Sequence, residues 1–153
     1  MITDFILPTT SLATALAFIG LGGGLYEISV IDPAWPQRPD LIQPDRGGIS
    51  RKRFWIPAHA AFELLLIIAL ALTWSSADVR FWLLVAMASH VGMRIWSAVD
   101  FIPKALAFEK AAPGPDREND ARRWTRRSLG RLPLDIIACG AMLTATIATA
   151  RMA

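Results

Sequence analysis

The chain has very little cysteine, and this lack excludes two kinds of stabilisation. Cys139 is the single cysteine among 153 residues, so neither an internal disulfide nor a zinc site built from cysteines can form. The sequence also has no internal repeat and no low-complexity segment. Its net charge of +3 does not indicate a nucleic-acid partner, because the basic residues fall between apolar stretches and form no basic stripe.

Apolar stretches of helical length dominate what is present, since hydrophobic residues make up 54% of the chain. Four stretches, over about residues 9–31, 54–74, 79–102 and 132–150, are each long enough to cross a hydrocarbon core of ~30 Å at ~1.5 Å per residue. The first lacks a basic leader and is too long for a signal-peptide core, so we expect it to be retained. The sequence therefore predicts an all-α fold: one integral membrane domain, a four-helix bundle, over residues 1–153.

Two longer connections, residues 32–53 and 103–131, are predicted as loops. Four prolines and a glycine pair forbid a regular helix in the first, which is either a lid or binding loop, or a solvated linker. The second begins with a stretch that suits a short interfacial helix. It is then broken at Pro113, Gly114 and Pro115.

The basic residues indicate the orientation in the membrane. Thirteen of the 16 lie in these two loops. Because short loops rich in Lys and Arg stay on the cytoplasmic side, we expect both loops in the cytoplasm and both termini outside, in the inner membrane.

The second apolar stretch carries His59 and Glu63, which are four residues apart and so share a helix face. His90, Arg94 and Ser97 share a face of the third stretch, with Asp100 at its margin. An ionisable side chain in hydrocarbon costs roughly 2.5–3.5 kcal/mol on insertion scales, so these faces are expected to meet inside the bundle.

Ionisable groups occupy only the half of the spans next to the two loops. Glu27 and Asp135 belong to the same half, whereas the opposite half holds no charge. Counted inward at ~1.5 Å per residue, His59 and His90 differ in depth by ~10 Å, which argues against both binding one iron. We expect this polar cluster to be the functional site.

We expect His59, Glu63 and Arg94 to be catalytic, because a buried His–Glu pair can exchange protons near neutral pH and an arginine can stabilise an oxyanion. The residues expected around a substrate are Glu27, Tyr26, His90, Asp100 and Trp55. The cofactor is left open: none, haem on His59 or His90, or a non-haem metal. The candidate ligands for that metal are Glu27, His59, Glu63 and His90. A purely structural polar network that sets helix register is a further alternative.

A glycine patch in the first span permits close approach of another backbone or of a flat ligand. Its members are Gly20, Gly22, Gly23 and Gly24.

Several short motifs are spread over most of the chain: the run G-L-Y-E at Gly24 to Glu27, Pro33 and Trp35, Phe54-Trp55, and D-F-I-P at Asp100 to Pro103. In these motifs the chain resembles a group of small four-span bacterial membrane proteins similar to the anthrone oxygenase-like family. The resemblance implies oxidation of an aromatic polyketide without a bound metal. No catalytic residue is carried over from the family.

A looser likeness connects Ala58-His59 and the polar third span with styrene oxide isomerase. It implies that His59 is the axial ligand of a haem and that a group on the third span touches the substrate. Sterol isomerases of the emopamil-binding type are similar only in placing His and Glu one turn apart within a membrane bundle.

Together these observations predict a membrane enzyme that isomerises or oxidises a hydrophobic small molecule. A non-enzymatic accessory subunit is the competing class. The expected partners are that small molecule and membrane lipid, with no nucleic acid, and a homo-oligomer is left open because bundles this small often associate.

Overall fold

A computed structural model describes residues 3–112 and 114–152. Helices are its only regular elements in that part of the chain, and four of them are long and apolar enough to cross a membrane. The predicted all-α four-helix bundle is therefore confirmed. The α-helices are α1 (Thr3–Tyr26), α2 (Lys52–Leu72), α3 (Ala77–Trp96), α4 (Ile102–Lys110), α5 (Pro115–Ser128) and α6 (Leu132–Ala150).

The first helix begins earlier than the predicted residue 9 and contains Pro8 instead of starting after it. Thr10 lies inside the helix and donates its hydroxyl hydrogen to the carbonyl oxygens of Ile6 and Leu7, both at 3.1 Å. It therefore bonds backward along α1 instead of capping a helix start. A single π-helical segment, Glu27–Ile31, extends the helix at its other end.

The bundle is formed by α1, α2, α3 and α6. The last of these packs closely against both α1 and α3, and α1 packs against α2, whereas α2 and α3 share the least contact of the four adjacent pairs. Small side chains such as Ala13, Ala69, Ala86 and Ala145 are buried where the helices meet. Small residues allow membrane helices to approach closely, and many of the other apolar side chains lie on the outside, where lipid would contact them. Ile56, Leu64, Ile95 and Val99 are examples.

Residues 32–51 fold together with residues 97–101, α4 and α5 into a second small core, which we call the cap. Trp35 is 1% exposed, and its ring centroid lies 5.2 Å from that of Phe108 and 5.9 Å from that of Trp124. Gln43 joins the loop to the end of α4 by donating to the carbonyl oxygen of Ala111 at 2.8 Å. The solvated-linker interpretation is therefore wrong, because buried aromatic rings hold this loop on the bundle.

Asp32 connects the start of the cap to α5. Its carboxylate accepts hydrogen bonds from the Trp35 indole at 3.0 Å and from the Ser128 hydroxyl at 3.4 Å. Burial raises the pKa of the Asp32 carboxyl, although those two hydrogen bonds and the charges of Arg51 and Arg131 act in the opposite direction. The hydrogen bonds and neighbouring charges of Asp32 therefore do not fully compensate for the hydration that its carboxylate loses on burial.

The region 103–131 is mostly helical, whereas the sequence predicted a loop with one short helix. The chain runs from α3 into α4 through a π-helical segment, Ser97–Phe101, and from α5 into α6 through a 3₁₀ turn, Leu129–Arg131. Proline did not prevent this, because Pro103 and Pro115 lie in the first turns of their helices, where a missing N–H costs little. Two bundle helices consequently extend into the cap.

Candidate functional site

Three polar side chains join α2 to α3. Glu63 of α2 accepts a hydrogen bond on Oε1 from Arg94 Nε at 3.0 Å, and His90 Nε2 lies 3.1 Å from the same oxygen. His90 and Arg94 are one turn apart on α3, so both reach one carboxylate. The sequence predicted that these polar faces meet, and the structure brings them together where α2 and α3 otherwise pack loosely.

His59 lies beside this bridge on α2. Its ring stacks on Trp55, with centroids 5.2 Å apart and planes inclined by 19°. Its centroid is only 5.4 Å from that of His90, so the predicted ~10 Å difference in depth is wrong. The prediction counted depth from a span end at residue 102, but the third helix continues beyond that residue. The predicted ends of the second and third spans therefore do not lie at the same depth.

A small cavity opens next to the two histidines, between all four bundle helices. Its volume is about 20 Å³, which is room for roughly one water molecule. The chemically active side chains on its wall are His59, His90, Asp135 and Cys139, and Trp55 and Phe62 add aromatic surface. The cavity therefore places titratable groups of α2, α3 and α6 around one point within the bundle.

Asp135 belonged to the expected polar cluster, but the sequence assigned it no catalytic, substrate-binding or metal-binding role. It lies four residues before Cys139 on α6, so both face the cavity from the same side of that helix. An acid inside a predicted span was a signal in the sequence, because such acids face the bundle interior. Its position near the start of the span, however, also suited a residue at the membrane surface.

Three of the five expected substrate residues, Asp100, Tyr26 and Glu27, do not line the cavity. Asp100 belongs to the cap, where Arg127 donates to it at 2.6 Å and Lys104 forms a second ion pair. Tyr26 is 58% exposed on the outer surface of α1. Neither lines the cavity, because the third helix has passed out of the bundle core at Asp100 and Tyr26 faces outward.

Glu27 lies between the cavity and the cap. Its Oε1 atom is buried and has no hydrogen-bond partner within the described part of the chain, and Arg51, Arg131 and Trp55 are its polar neighbours. Of these, only Trp55 also lines the cavity. The expected grouping of Glu27 with the histidines is therefore not observed, although Trp55 links the two regions.

The glycine patch serves mainly to let α1 and α2 approach. The ring of Phe54 occupies the space in which a side chain on Gly23 would lie, and Trp55 is 3.9 Å from the equivalent position on Gly24. Gly20 lines the cavity. Helix packing thus accounts for Gly23, and the cavity wall for Gly20.

The donor set does not fit a non-haem metal. Within residues 3–112 and 114–152, no group of three His, Cys, Asp or Glu side chains is close enough together to hold a metal ion. Glu63, one of the proposed ligands, instead shares its oxygen with His90 and Arg94. With the helices packed as observed, a haem does not fit either, because the space beside His59 admits about one water molecule and not a porphyrin ring.

Comparisons with protein-family models, with curated proteins and with solved structures find no match to this chain. The resemblances to the anthrone oxygenase-like family and to styrene oxide isomerase therefore stay predictions. The fold and the position of the cavity define a multi-pass α-helical membrane protein with a polar site enclosed by its four long helices.

Proposed function

We propose that the protein is a membrane enzyme that isomerises a hydrophobic small molecule by moving a proton. The observation that supports this most directly is the cavity, which gathers an imidazole and a carboxyl group, His59 and Asp135, inside an apolar bundle. Proton transfer needs a base and an acid on the same substrate, and this pair supplies both. Glu63 becomes a positioning residue, because His90 and Arg94 already occupy its Oε1 oxygen.

In this reaction one cavity group removes a proton from a carbon of the substrate, and the other returns a proton to a different carbon. A double bond moves between them, and no electron acceptor is needed. Trp55 and Phe62 offer apolar walls for the substrate. Since the cavity holds only about one water molecule, a substrate must separate the helices, and the loosely packed seam of α2 and α3 is the favoured way in from lipid.

The proposal includes an orientation. The cap carries most of the basic residues, so by the positive-inside rule it faces the cytoplasm and both termini lie outside the inner membrane. Substrate therefore reaches the site within the cytoplasmic half of the bilayer.

Proton transfer can be tested without knowing the natural substrate. Protein in lipid nanodiscs is incubated in D₂O with a hydrophobic extract of the producing membranes and with lipophilic β,γ-unsaturated ketones, and deuterium uptake is measured by mass spectrometry. We expect the wild type to label at least one compound, and His59→Gln and Asp135→Asn to reduce labelling about a hundredfold, the usual scale of acid–base catalysis.

Asp100→Asn is the matched control, because it also neutralises an aspartate but lies in the cap and not on the cavity. Its labelling is expected to equal that of the wild type. Labelling that is equal in all four proteins, or absent from all of them, would contradict the proposed reaction.

The second candidate is a non-enzymatic subunit with a structural polar network. The bridge of Glu63 to His90 and Arg94 favours it, because this bridge joins the adjacent pair of bundle helices that otherwise packs least closely. It predicts that no small molecule copurifies and that His59→Gln alters only stability or assembly.

Oxidation and haem chemistry, which the resemblances imply, have a separate test. An ultraviolet–visible spectrum with metal analysis is recorded for the detergent-purified protein and for His59→Ala. A Soret band that disappears in the variant would establish a haem protein and contradict the conclusion that a haem does not fit beside His59. Stoichiometric iron or manganese would instead contradict the conclusion that the donor set does not fit a non-haem metal.

A further inference from the structure

A groove on the outer face of α5 carries three arginines. Asn119, Arg122, Arg123 and Arg126 line it, and its volume is about 360 Å³. We call this set the arginine groove. Its members lie three, four and seven residues after Asn119, so they share one side of the helix.

The opposite side of α5 fixes this orientation. Ala121, Trp124 and Ser128 are buried in the cap, with Trp124 only 6% exposed and its indole donating to the Phe101 carbonyl oxygen at 3.3 Å. Because that face is packed, the helix cannot rotate the arginines inward. The arginine groove is therefore a permanent feature of the surface.

Positive charge in the arginine groove is only partly balanced by the protein. Glu118 pairs with Arg122 at 2.7 Å. Arg123 and Arg126 are exposed and form no ion pair with any acidic residue in the described ranges. Like charges three and four residues apart on a helix repel, so an external anion would relieve this arrangement.

We infer the level of the arginine groove relative to the bilayer from the apolar residue that precedes α6. Leu129 is apolar and 46% exposed, and we take it as the end of the lipid-facing surface on this chain segment. Arg126 is three residues further out and Arg123 six, or about 5 Å and 9 Å along the helix at ~1.5 Å per residue. The polar layer of a bilayer extends roughly 5–8 Å beyond the hydrocarbon on each side, and long arginine side chains can reach back into it.

We propose that the arginine groove is a binding site for the phosphate of an anionic phospholipid. Arginine forks bind phosphate oxygens through paired N–H donors, and the Asn119 amide offers one further donor. Zwitterionic lipids carry a cation next to the phosphate, which the arginines would repel, so the groove should select lipids with net negative charge. The inference depends only on insertion of the four long helices and not on the proposed enzymatic activity.

The test measures lipid binding to the full-length protein by native mass spectrometry, with phosphatidylglycerol and phosphatidylcholine as probes. We expect the wild type to prefer phosphatidylglycerol, and Arg123→Gln/Arg126→Gln to weaken its binding about tenfold or more. The matched control is Arg38→Gln/Arg46→Gln, which removes two charges from exposed positions of the cap loop. It should change the affinity less than twofold.

Two further measurements separate the alternatives. Arg123→Lys/Arg126→Lys keeps the charge but loses the paired donors, so we expect binding between that of the wild type and that of the glutamine variant. Inorganic phosphate added alone should compete weakly, because it lacks the acyl chains. Equal binding of the two lipids, equal losses in both glutamine variants, or full competition by free phosphate would each overturn the proposal.

Discussion

The bridge between α2 and α3 gives the sharpest prediction for stability. In Glu63→Gln the carboxylate charge is removed, while the side chain keeps its length and one acceptor oxygen. His90, which is 3% exposed, and Arg94 then face a neutral amide. Two charge-assisted hydrogen bonds to the same oxygen are weakened at once.

The expected loss follows from these contacts. Interhelical polar contacts in membrane proteins average about 0.6 kcal/mol and reach about 1.7 kcal/mol, so two of them at one atom are worth roughly 1–3 kcal/mol. The loosely packed seam offers little apolar contact to compensate. We therefore expect Glu63→Gln to lower the free energy of unfolding by about 1–2 kcal/mol, less than complete removal of the contacts.

The assay is reversible unfolding of the purified protein in mixed micelles with increasing sodium dodecyl sulfate. Glu118→Gln is the control, because it makes the same chemical change in a pair with Arg122 that lies within a single helix of the cap, where about 0.3–0.5 kcal/mol is expected. A double-mutant cycle with Arg94→Gln measures the coupling directly. If Glu63→Gln loses no more than Glu118→Gln, the bridge does not stabilise the seam and the reasoning fails.

Three predictions concern the cap. Trp35→Ala should destabilise it by about 3–5 kcal/mol, because it removes a fully buried aromatic ring; limited proteolysis would then cut residues 38–50 while the bundle stays intact. Gly48→Ala should also destabilise the cap, by about 1–3 kcal/mol, because the new methyl group would lie 2.7 Å from the Gln43 nitrogen. Unchanged proteolysis of residues 38–50 in this variant would contradict this packing. Asp32 should lower the free energy of unfolding as pH rises from 3.8, its usual pKa, through the higher pKa that it has in the folded protein. The reason is that burial favours the protonated carboxyl. Asp32→Asn removes this negative contribution, so the slope of the free energy of unfolding against pH across this range should be more positive than in the wild type, whereas Asp45→Asn, at an exposed position, should leave the slope unchanged.

Part of the candidate site could be predicted from local patterns. The spacing of His59 to Glu63 and of His90 to Arg94 assigned each pair to one helix face, and the cost of burying charge in hydrocarbon required those faces to meet. The pairing itself could not be predicted. Glu63 bonds across to α3 and not along its own helix to His59, because the relative rotation and axial position of α2 and α3 bring His90 and Arg94 nearer.

The cap shows which features of the predicted loops could not be predicted from the sequence. Its prolines correctly excluded a regular helix between residues 32 and 51, but the burial of Trp35 depends on Phe108 and Trp124, which are more than seventy residues away in the chain. Pro115 suggested interruption of a helix, yet it lies in a first helical turn, as does Pro103. Proline indicates where a helix can begin as readily as where one ends.

The sequence by itself determined the four long apolar helices, the half of the bundle that carries polar groups and the faces on which they lie. These properties follow from hydropathy and the helical period, which are local. Tertiary structure alone decided that His59 and His90 are neighbours, that Asp135 joins them at the cavity and that Asp100 does not. The physical reason is that packing of side chains from all four helices sets their rotations and relative depths, and no single segment contains that information.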